Sequence, residues 1–233
     1  MIDQHMLRRL WIEWRGLIIF LVVMVLFRSA IADWNQVPTG SMKPTILEGD
    51  RVIVNKMAFG LRVPLTSIQL IRWGDPAAGD IITFISPEDD QLLIKRVIGV
   101  PGDWVAMVNN QLSINGESAD YQALKDFDLN ELSTIDRYRH RFFLETTPVS
   151  ERAIMLEPSP VPQVNSFGPI EVPSDQYLVL GDNRDNSKDS RFIGFVSANR
   201  ITGRAHTVAF SVDYEDYYLP RSNRFLKSLE VNR

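Results

Sequence analysis

The most distinctive pattern in the chain is a run of uninterrupted apolar residues, Gly16 to Phe27 (GLIIFLVVMVLF), bounded by Arg15 and Arg28. Such a run has no polar face, so it predicts a helix surrounded on all sides by apolar material rather than an amphipathic one. Alone it is shorter than the roughly 20 residues a bilayer needs. Extended from Trp11 to Trp34 it is long enough, with Arg15 and Arg28 placed to snorkel and tryptophans at both ends where an aromatic belt would sit. Arg8, Arg9 and Arg15 precede the run, so the positive-inside rule puts the N-terminus in the cytoplasm and everything after Trp34 across the membrane. Two other readings stand beside the retained anchor. One is a cleaved signal peptide with Ala30-Ile31-Ala32 as its small-x-small site; the other is a buried helix of a soluble core.

Beyond Trp34 the pattern changes to short β-type runs punctuated by Gly, Pro and Asp. Strands are predicted at Arg51–Asn55, Ile81–Ile85, Leu92–Ile98, Trp104–Met107, Leu112–Ile114, Tyr177–Leu180 and His206–Phe210. Gly-Asp recurs at Gly49, Gly79, Gly102 and Gly181, and the first three occurrences immediately precede a strand, as turn chemistry requires. Asn109-Asn110 between two strand-like runs predicts a hairpin. Helical periodicity outside the N-terminus is confined to a weak candidate around Tyr121–Leu132. The reading is a mainly β fold: an antiparallel β-sheet body with an inserted smaller subdomain, behind one N-terminal transmembrane helix. Its boundaries are 1–34 for the stub and anchor, 35–114 and 173–213 for the body, 115–172 for an insertion poor in clear strands, and 214–233 for a surface segment.

Composition narrows the chemistry. With 25 basic and 29 acidic residues the formal charge is −4, too acidic and too evenly mixed for a nucleic-acid binder. The absence of cysteine excludes disulfides, thiolate nucleophiles and zinc–thiolate sites. His5, His140 and His206 fit no metal-ligand spacing, so neither metal nor cofactor is expected.

Three segments carry candidate chemistry. Val37-Pro38-Thr39-Gly40-Ser41-Met42-Lys43-Pro44 puts Ser41 on a constrained loop between two prolines; Lys43 stands where a GxSxG elbow needs its second Gly. In Leu92–Ile98, alternation groups Lys95 with Leu93 and Val97 on one face, and Ile94, Arg96 and Ile98 on the other. This is either a charge-protected edge strand or a lysine in an apolar wall. In the second case desolvation lowers the amine pKa, and a neutral amine can serve as general base to a serine. The loop Gly181 to Arg191 (GDNRDNSKDSR) fails the EF-hand pattern, since Arg184 and Ser187 occupy positions where a ligand and a glycine are required. Its charges suit pairing among themselves and with Arg96. A Ser-His-Asp triad has only His206 to draw on, in a strand with no distinguishing neighbours.

Four stretches taken in order resemble bacterial type I signal peptidase, a membrane-bound Ser/Lys peptidase family: Thr39-Gly40-Ser41-Met42-x-Pro44-Thr45, Gly49-Asp50-Arg51-Val52-x-Val54-x-Lys56, Lys95-Arg96-Val97-Ile98-Gly99-x-Pro101-Gly102-Asp103, and the Gly181–Arg191 loop. The resemblance covers approximately Asp33–Asp103 and Val172–Ser211 as well as the anchor. It implies Ser41 as nucleophile, Lys95 as general base and Ser187 as the residue that orients the lysine amine. It implies an oxyanion hole from the Ser41 backbone N–H and the Thr39 hydroxyl, where many relatives carry Ser. Arg96, Asp182, Asp189 and Arg191 would brace the site. Val37, Pro38, Met42, Ile46, Leu93 and Ile94 would line the substrate pocket, with Leu93 standing where some relatives have Tyr. The implied partners are signal-peptide-bearing preproteins and the lipid bilayer, and the implied location is the outer face of the bacterial cytoplasmic membrane. A related processing peptidase of narrower substrate, and a catalytically silent membrane-tethered β-protein, are the competing readings.

Overall fold

The computed structural model describes residues 4–30, 32–63, 66, 68–125, 131–158, 165–214 and 216–229. It opens with α1 (Gln4–Ala30), a helix of 27 residues. From Leu17 to Val25 every aliphatic or aromatic side chain of α1 is between 40% and 62% exposed, so no face of it packs on the body. Among the described residues, no helix is long and apolar enough to cross a membrane.

The body is built from antiparallel sheets. Strands β1 (Ala32–Gln36), β2 (Asp50–Asn55), β3 (Gly60–Arg62), β4 (Gln69–Arg72), β5 (Ile81–Ile85) and β6 (Leu92–Gly99) come first. Next are β7 (Trp104–Val108), β8 (Gln111–Ile114), β9 (Glu117–Ser118) and β10 (Asp120–Ala123), then α2 (Thr134–Arg139), β11 (Arg141–Thr147), β12 (Ser150–Leu156) and β13 (Phe167–Glu171). The chain finishes with β14 (Gln176–Leu180), α3 (Ser190–Ile193), β15 (Val196–Ser197), β16 (Ile201–Asp213), β17 (Leu219–Pro220) and β18 (Lys227–Ser228). The main sheet runs β1-β2-β16-β5-β6-β14-β15, with β17 and β18 paired to β16. A second sheet, β13-β7-β8-β9, and a third, β10-β11-β12, complete the body, and β3–β4 forms a separate ribbon.

The turn signals explain the strand starts. Gly49, Gly79 and Gly102 adopt φ of 93°, 95° and 89°, a region open to glycine, and the aspartate after each launches or caps the next strand. Asn109 and Asn110, with φ of 50° and 64°, close the β7–β8 hairpin. The alternating apolar positions of β2, β5 and β16 meet in one core with Val37, Met42, Ile46, Val52, Val54, Ile81 and Val208. A second core on the opposite face gathers Ile82, Phe84, Val97, Tyr177 and Val179.

Three expectations need correction. The stretch 115–172 is rich in strands, and β13 and β9 join the body's own β7 and β8, so it shares a sheet with the body. The strands β11 and β12 escaped notice because their buried positions include Glu145 and Arg152, which erase the apolar alternation. The helical candidate at Tyr121–Leu132 is a strand, β10, at its start; residues 126–130 lie outside the described residues, and the short helix α2 begins only at Thr134. Within the segment expected at the surface, 214–233, Arg224 is fully buried and Leu229 belongs to the core. Arg224 makes a two-point bond with Asp50, through Nε at 2.9 Å and Nη2 at 2.6 Å, and so ties the C-terminal segment to the start of β2.

Candidate active site

The serine loop is held from below and from the side. Gly40–Met42 forms a single 3-10 turn whose Met42 is wholly buried in the core with Val37 and Ile46. From the side, Asn183 donates its backbone N–H to the Ser41 carbonyl (3.1 Å) and its side-chain amide to the Gly40 carbonyl (3.1 Å). Asn183 is fixed in turn by β12: Met155 N–H donates to the Asp182 carbonyl (2.9 Å) and Arg184 N–H to the Met155 carbonyl (3.0 Å).

Lysine 95 arrives from β6. That strand is paired along its length with β5, Lys95 lying opposite Ile82. On its other side β14 pairs only as far as Leu180 opposite Arg96, then turns away at Gly181. Leu92 to Lys95 therefore forms an open edge on that side. A Cβ at Gly181 would lie 2.2 Å from Ser187 Oγ and 2.4 Å from the Ser41 carbonyl oxygen, so only glycine lets the two loops approach this closely.

The two side chains meet. Lys95 Nζ donates to Ser41 Oγ at 2.8 Å and to the Ile94 carbonyl at 3.0 Å, and Lys95 is 3% exposed. Burial lowers the amine pKa from its ordinary 10.5 to about 8; the carboxylates of Asp189 and Asp182 pull it upward but do not overcome the desolvation. Such an amine is neutral in about a tenth of the molecules at pH 7, far more than an ordinary lysine, and its lone pair can then accept the serine proton. Neither histidine in the body reaches this serine: His206 Nδ1 lies 2.7 Å from Thr207 Oγ1, and His140 Nδ1 lies 3.0 Å from the Asp136 carbonyl.

Two ion pairs lie beside Ser41 and Lys95. Arg96 grips Asp182 with Nε at 2.8 Å and Nη2 at 2.7 Å, and Asp182 also accepts from Thr45 Oγ1. Asp189 accepts from Arg191 Nε (2.8 Å) and Nη2 (2.7 Å), and from Gly181 N–H (3.0 Å). Both carboxylates thus serve as anchors for the loop that carries Gly181.

Other expectations fare differently. Ser187 is buried beside Gly181, but its hydroxyl has no hydrogen-bond partner and makes no bond to the Lys95 amine. Thr39 is exposed, and its hydroxyl does not cap the 3-10 turn. Met42 and Ile46 are 0% exposed and Val37 only 2%, so they form the floor beneath the serine loop and present no surface to a ligand; of the six pocket residues, Pro38, Leu93 and Ile94 retain exposed surface. No three His, Asp or Glu side chains among the described residues come together as ligands for an ion.

Sequence reasoning missed one further assembly. Glu145, on β11, is 0% exposed and accepts from Arg152 Nε (2.5 Å), from both terminal nitrogens of Arg184 (2.6 and 2.7 Å) and from the Tyr121 hydroxyl (2.8 Å). It connects the β11–β12 hairpin to the Gly181 loop. Arg184 lay within a recognised motif, but nothing in the sequence marked Glu145 as its partner.

A family model described as signal peptidase, peptidase S26, matches residues 11–210. A Pseudomonas fluorescens protein named Signal peptidase I is 36% identical over 203 residues, covering 82% of this chain and 69% of its own length. The Pseudomonas aeruginosa protein of the same name is 34% identical with the same coverage of each. A solved signal peptidase I from Enterococcus faecalis is 33% identical, covering 56% of this chain and 97% of the other, with a TM-score of 0.34.

Proposed function

This chain belongs to the signal peptidase family, peptidase S26, and is a serine peptidase; we propose that it removes signal peptides from exported preproteins with Ser41 as nucleophile and Lys95 as general base. The observation that carries this reading is the 2.8 Å approach of a buried lysine amine to a serine hydroxyl. Neutral Lys95 takes the Ser41 proton as Oγ adds to the scissile carbonyl, and the resulting ammonium gives that proton to the departing amine. The acyl-enzyme is then opened by a water that Lys95 deprotonates. The tetrahedral oxyanion is received by the Ser41 backbone N–H and the Thr39 hydroxyl, each such donor being worth about 3 kcal/mol. Thr39 acts here by rotating its exposed side chain toward the developing charge.

The substrate lies extended along the open edge Leu92–Lys95, adding a strand there through backbone hydrogen bonds. Pro38, Leu93 and Ile94 form the walls of shallow pockets for small side chains, above the floor of Val37, Met42 and Ile46. Ser187 assists by turning its unpartnered hydroxyl to the Lys95 amine once substrate excludes water, while Arg96–Asp182 and Asp189–Arg191 hold the loop still.

The body sits at the outer face of the cytoplasmic membrane on α1. Supporting this are the charge-free run Gly16–Phe27 and the exposure, on all sides of the helix, of the side chains from Leu17 to Val25. Holding the enzyme where its substrate's apolar segment is also embedded raises their effective concentration. The division of labour follows: 1–34 as stub and anchor, 35–114 with 173–213 as the catalytic body, 115–172 as the element that braces the site loop through Glu145 and Met155, and 214–233 as a strap pinned by Arg224, its described residues largely exposed.

The test is cleavage of a preprotein carrying a small-x-small site. Ser41→Ala and Lys95→Arg are each expected to lose at least about 10³-fold in kcat/KM with unchanged circular dichroism, since guanidinium stays protonated. Near-full activity in Lys95→Arg contradicts the neutral-amine mechanism.

A further inference from the structure

A second lysine, Lys43, stands two residues beyond the nucleophile and has no role in the chemistry just described. Its surroundings differ from those of Lys95. The amine donates to Asp136 Oδ2 at 2.9 Å and lies 3.2 Å from Glu48 Oε2. Burial works against its charge, but these two carboxylates outweigh burial and hold the pKa above its ordinary 10.5. Lys43 therefore remains a cation over the range in which Lys95 titrates.

The acceptor is itself firmly placed. Asp136 sits in the first turn of α2, where its N–H donates to Ser133 Oγ (3.0 Å) and its carbonyl accepts from the His140 N–H (3.1 Å). The residues before α2 are seated by Leu132, which packs with Leu47, Phe142 and Met155. They are also held by Glu131, which accepts from Arg224 and from Lys227 Nζ (2.5 Å). Arg224 donates in turn to the Thr45 carbonyl at 3.0 Å. The α2 segment is thus fixed to Thr45 and Leu47, in the stretch of chain that leaves the serine turn.

What this tether steadies is the peptide between Gly40 and Ser41. The Gly40 carbonyl accepts from the Lys43 backbone N–H (3.1 Å) and from the Asn183 side-chain amide (3.1 Å). In a trans peptide the next N–H points opposite to the carbonyl, so fixing the Gly40 oxygen aims the Ser41 N–H. The Lys43 side chain works on the same unit. A Cβ built on Gly40 would lie 3.2 Å from both Cδ and Cε of Lys43 and 3.1 Å from Glu48 Oε1. Glycine leaves this peptide freer to tilt than any other residue would. The lysine stem and the Glu48 carboxylate, drawn together by the ammonium, fill the space in which a side chain at position 40 would sit. A Lys43 cut loose from Asp136 could swing away and would release the peptide.

We infer that Lys43 is a positioning residue for the proposed reaction: held by Asp136 of α2, it fixes the Gly40–Ser41 peptide so that the Ser41 N–H faces the oxyanion. The stretch 115–172 thereby acts on the oxyanion donor itself, in addition to its brace on the Gly181 loop. The inference rests on the reading of Ser41 as nucleophile and of its N–H as an oxyanion donor.

The test uses the full chain and a preprotein carrying a small-x-small site. Lys43→Met keeps an unbranched stem and loses the ammonium; Asp136→Asn keeps the shape of its side chain and loses the charge. Each is expected to lower kcat about tenfold, a partial loss of one oxyanion donor, while KM stays within about twofold. The double variant is expected to fall no further than the weaker single one, because the two residues act as one unit. Lys43→Arg still carries a cation to Asp136 and is expected to keep at least about half of kcat. A peptide aldehyde separates positioning from general loosening. Its carbonyl carbon bonds Ser41 Oγ, and its oxygen takes the serine proton and occupies the oxyanion position. Its binding is expected to weaken by the same factor as kcat, with the matching peptide alcohol unaffected. Unchanged kcat in either single variant overturns the inference, as do additive losses in the double variant. Equal weakening of aldehyde and alcohol means a structural role alone and overturns it too. A wild type that fails to cleave overturns the catalytic reading and this inference with it, whereas an active wild type with fully active variants overturns this inference alone.

Discussion

Lys95 and Arg184 are both cations buried to within 3% and 1% of full enclosure, and the protein treats their charges in opposite ways. Burial works against the Arg184 charge, but the Glu145 carboxylate that binds both of its terminal nitrogens more than offsets this and holds its pKa above the usual value. Glu145 is itself resisted by burial, yet Arg184 and Arg152 depress its pKa to about 2. Lys95 is given a hydroxyl and a carbonyl in place of a bonded carboxylate, and its pKa falls to about 8. Asp182 and Asp189 are near enough to raise that pKa, but their oxygens are occupied by Arg96 and Arg191. The comparison teaches that the same buried environment yields a structural clamp or a reactive base according to whether the counter-charge is supplied or diverted. Pairing a buried charge serves rigidity, whereas withholding the pair costs stability and creates reactivity.

The clamp side of the comparison breaks with the largest effect on stability. Glu145→Gln leaves Arg152 and Arg184 buried without a counter-charge and is expected to destabilise the fold by about 3–5 kcal/mol, read from urea unfolding. Because Arg184 fixes the loop that holds Ser41, cleavage is expected to fall as well. Gly181→Ala sharpens the contrast from the geometric side. Its methyl group would push Ser41 and Ser187 apart, and misplacement of about 1 Å costs about 10²-fold in kcat, with a smaller change in KM.

The base side is expected to show the opposite sign in stability. A lysine whose pKa falls from 10.5 to about 8 on folding costs about 3 kcal/mol at neutral pH. Lys95→Met removes that cost but also the two hydrogen bonds, so an inactive protein stabilised by about 1–2 kcal/mol is expected at pH 7. The unfolded lysine holds its proton up to about pH 10.5 and the folded one only to about 8, so wild-type stability gains on the variant between these values. Melting temperatures of the two proteins across that window measure the effect. A Lys95→Met protein less stable than wild type at pH 7 contradicts it.

How far this contrast was legible in the sequence follows from the same physics. β2, β5, β6, β7, β8 and β14 were readable because apolar alternation and Gly-Asp or Asn-Asn turns agree locally. Ser41 and Lys95 were readable as a pair only through the order of motifs, since nothing in alternation tells whether residues so far apart in the chain meet. The hairpin β11–β12 was not readable, because it turns Glu145 and Arg152 inward and a buried ion pair looks like surface in a hydropathy pattern. Arg224 was hidden for the same reason: its partner Asp50 is distant in the chain, and an arginine among exposed aromatics reads as a surface residue. The ribbon β3–β4 was not predicted either. Its strands are short and apolar on both faces, so they show no period-two signal.

The central claim is that Lys95 acts as an uncharged base, and the pH dependence of kcat/KM on a soluble peptide substrate tests it most directly. Below about pH 8 the amine is protonated, so the rate is expected to climb about tenfold per pH unit and level off above that value. A profile governed by a group near pH 6.5, the ordinary range of a histidine, or one flat through pH 8, contradicts the account.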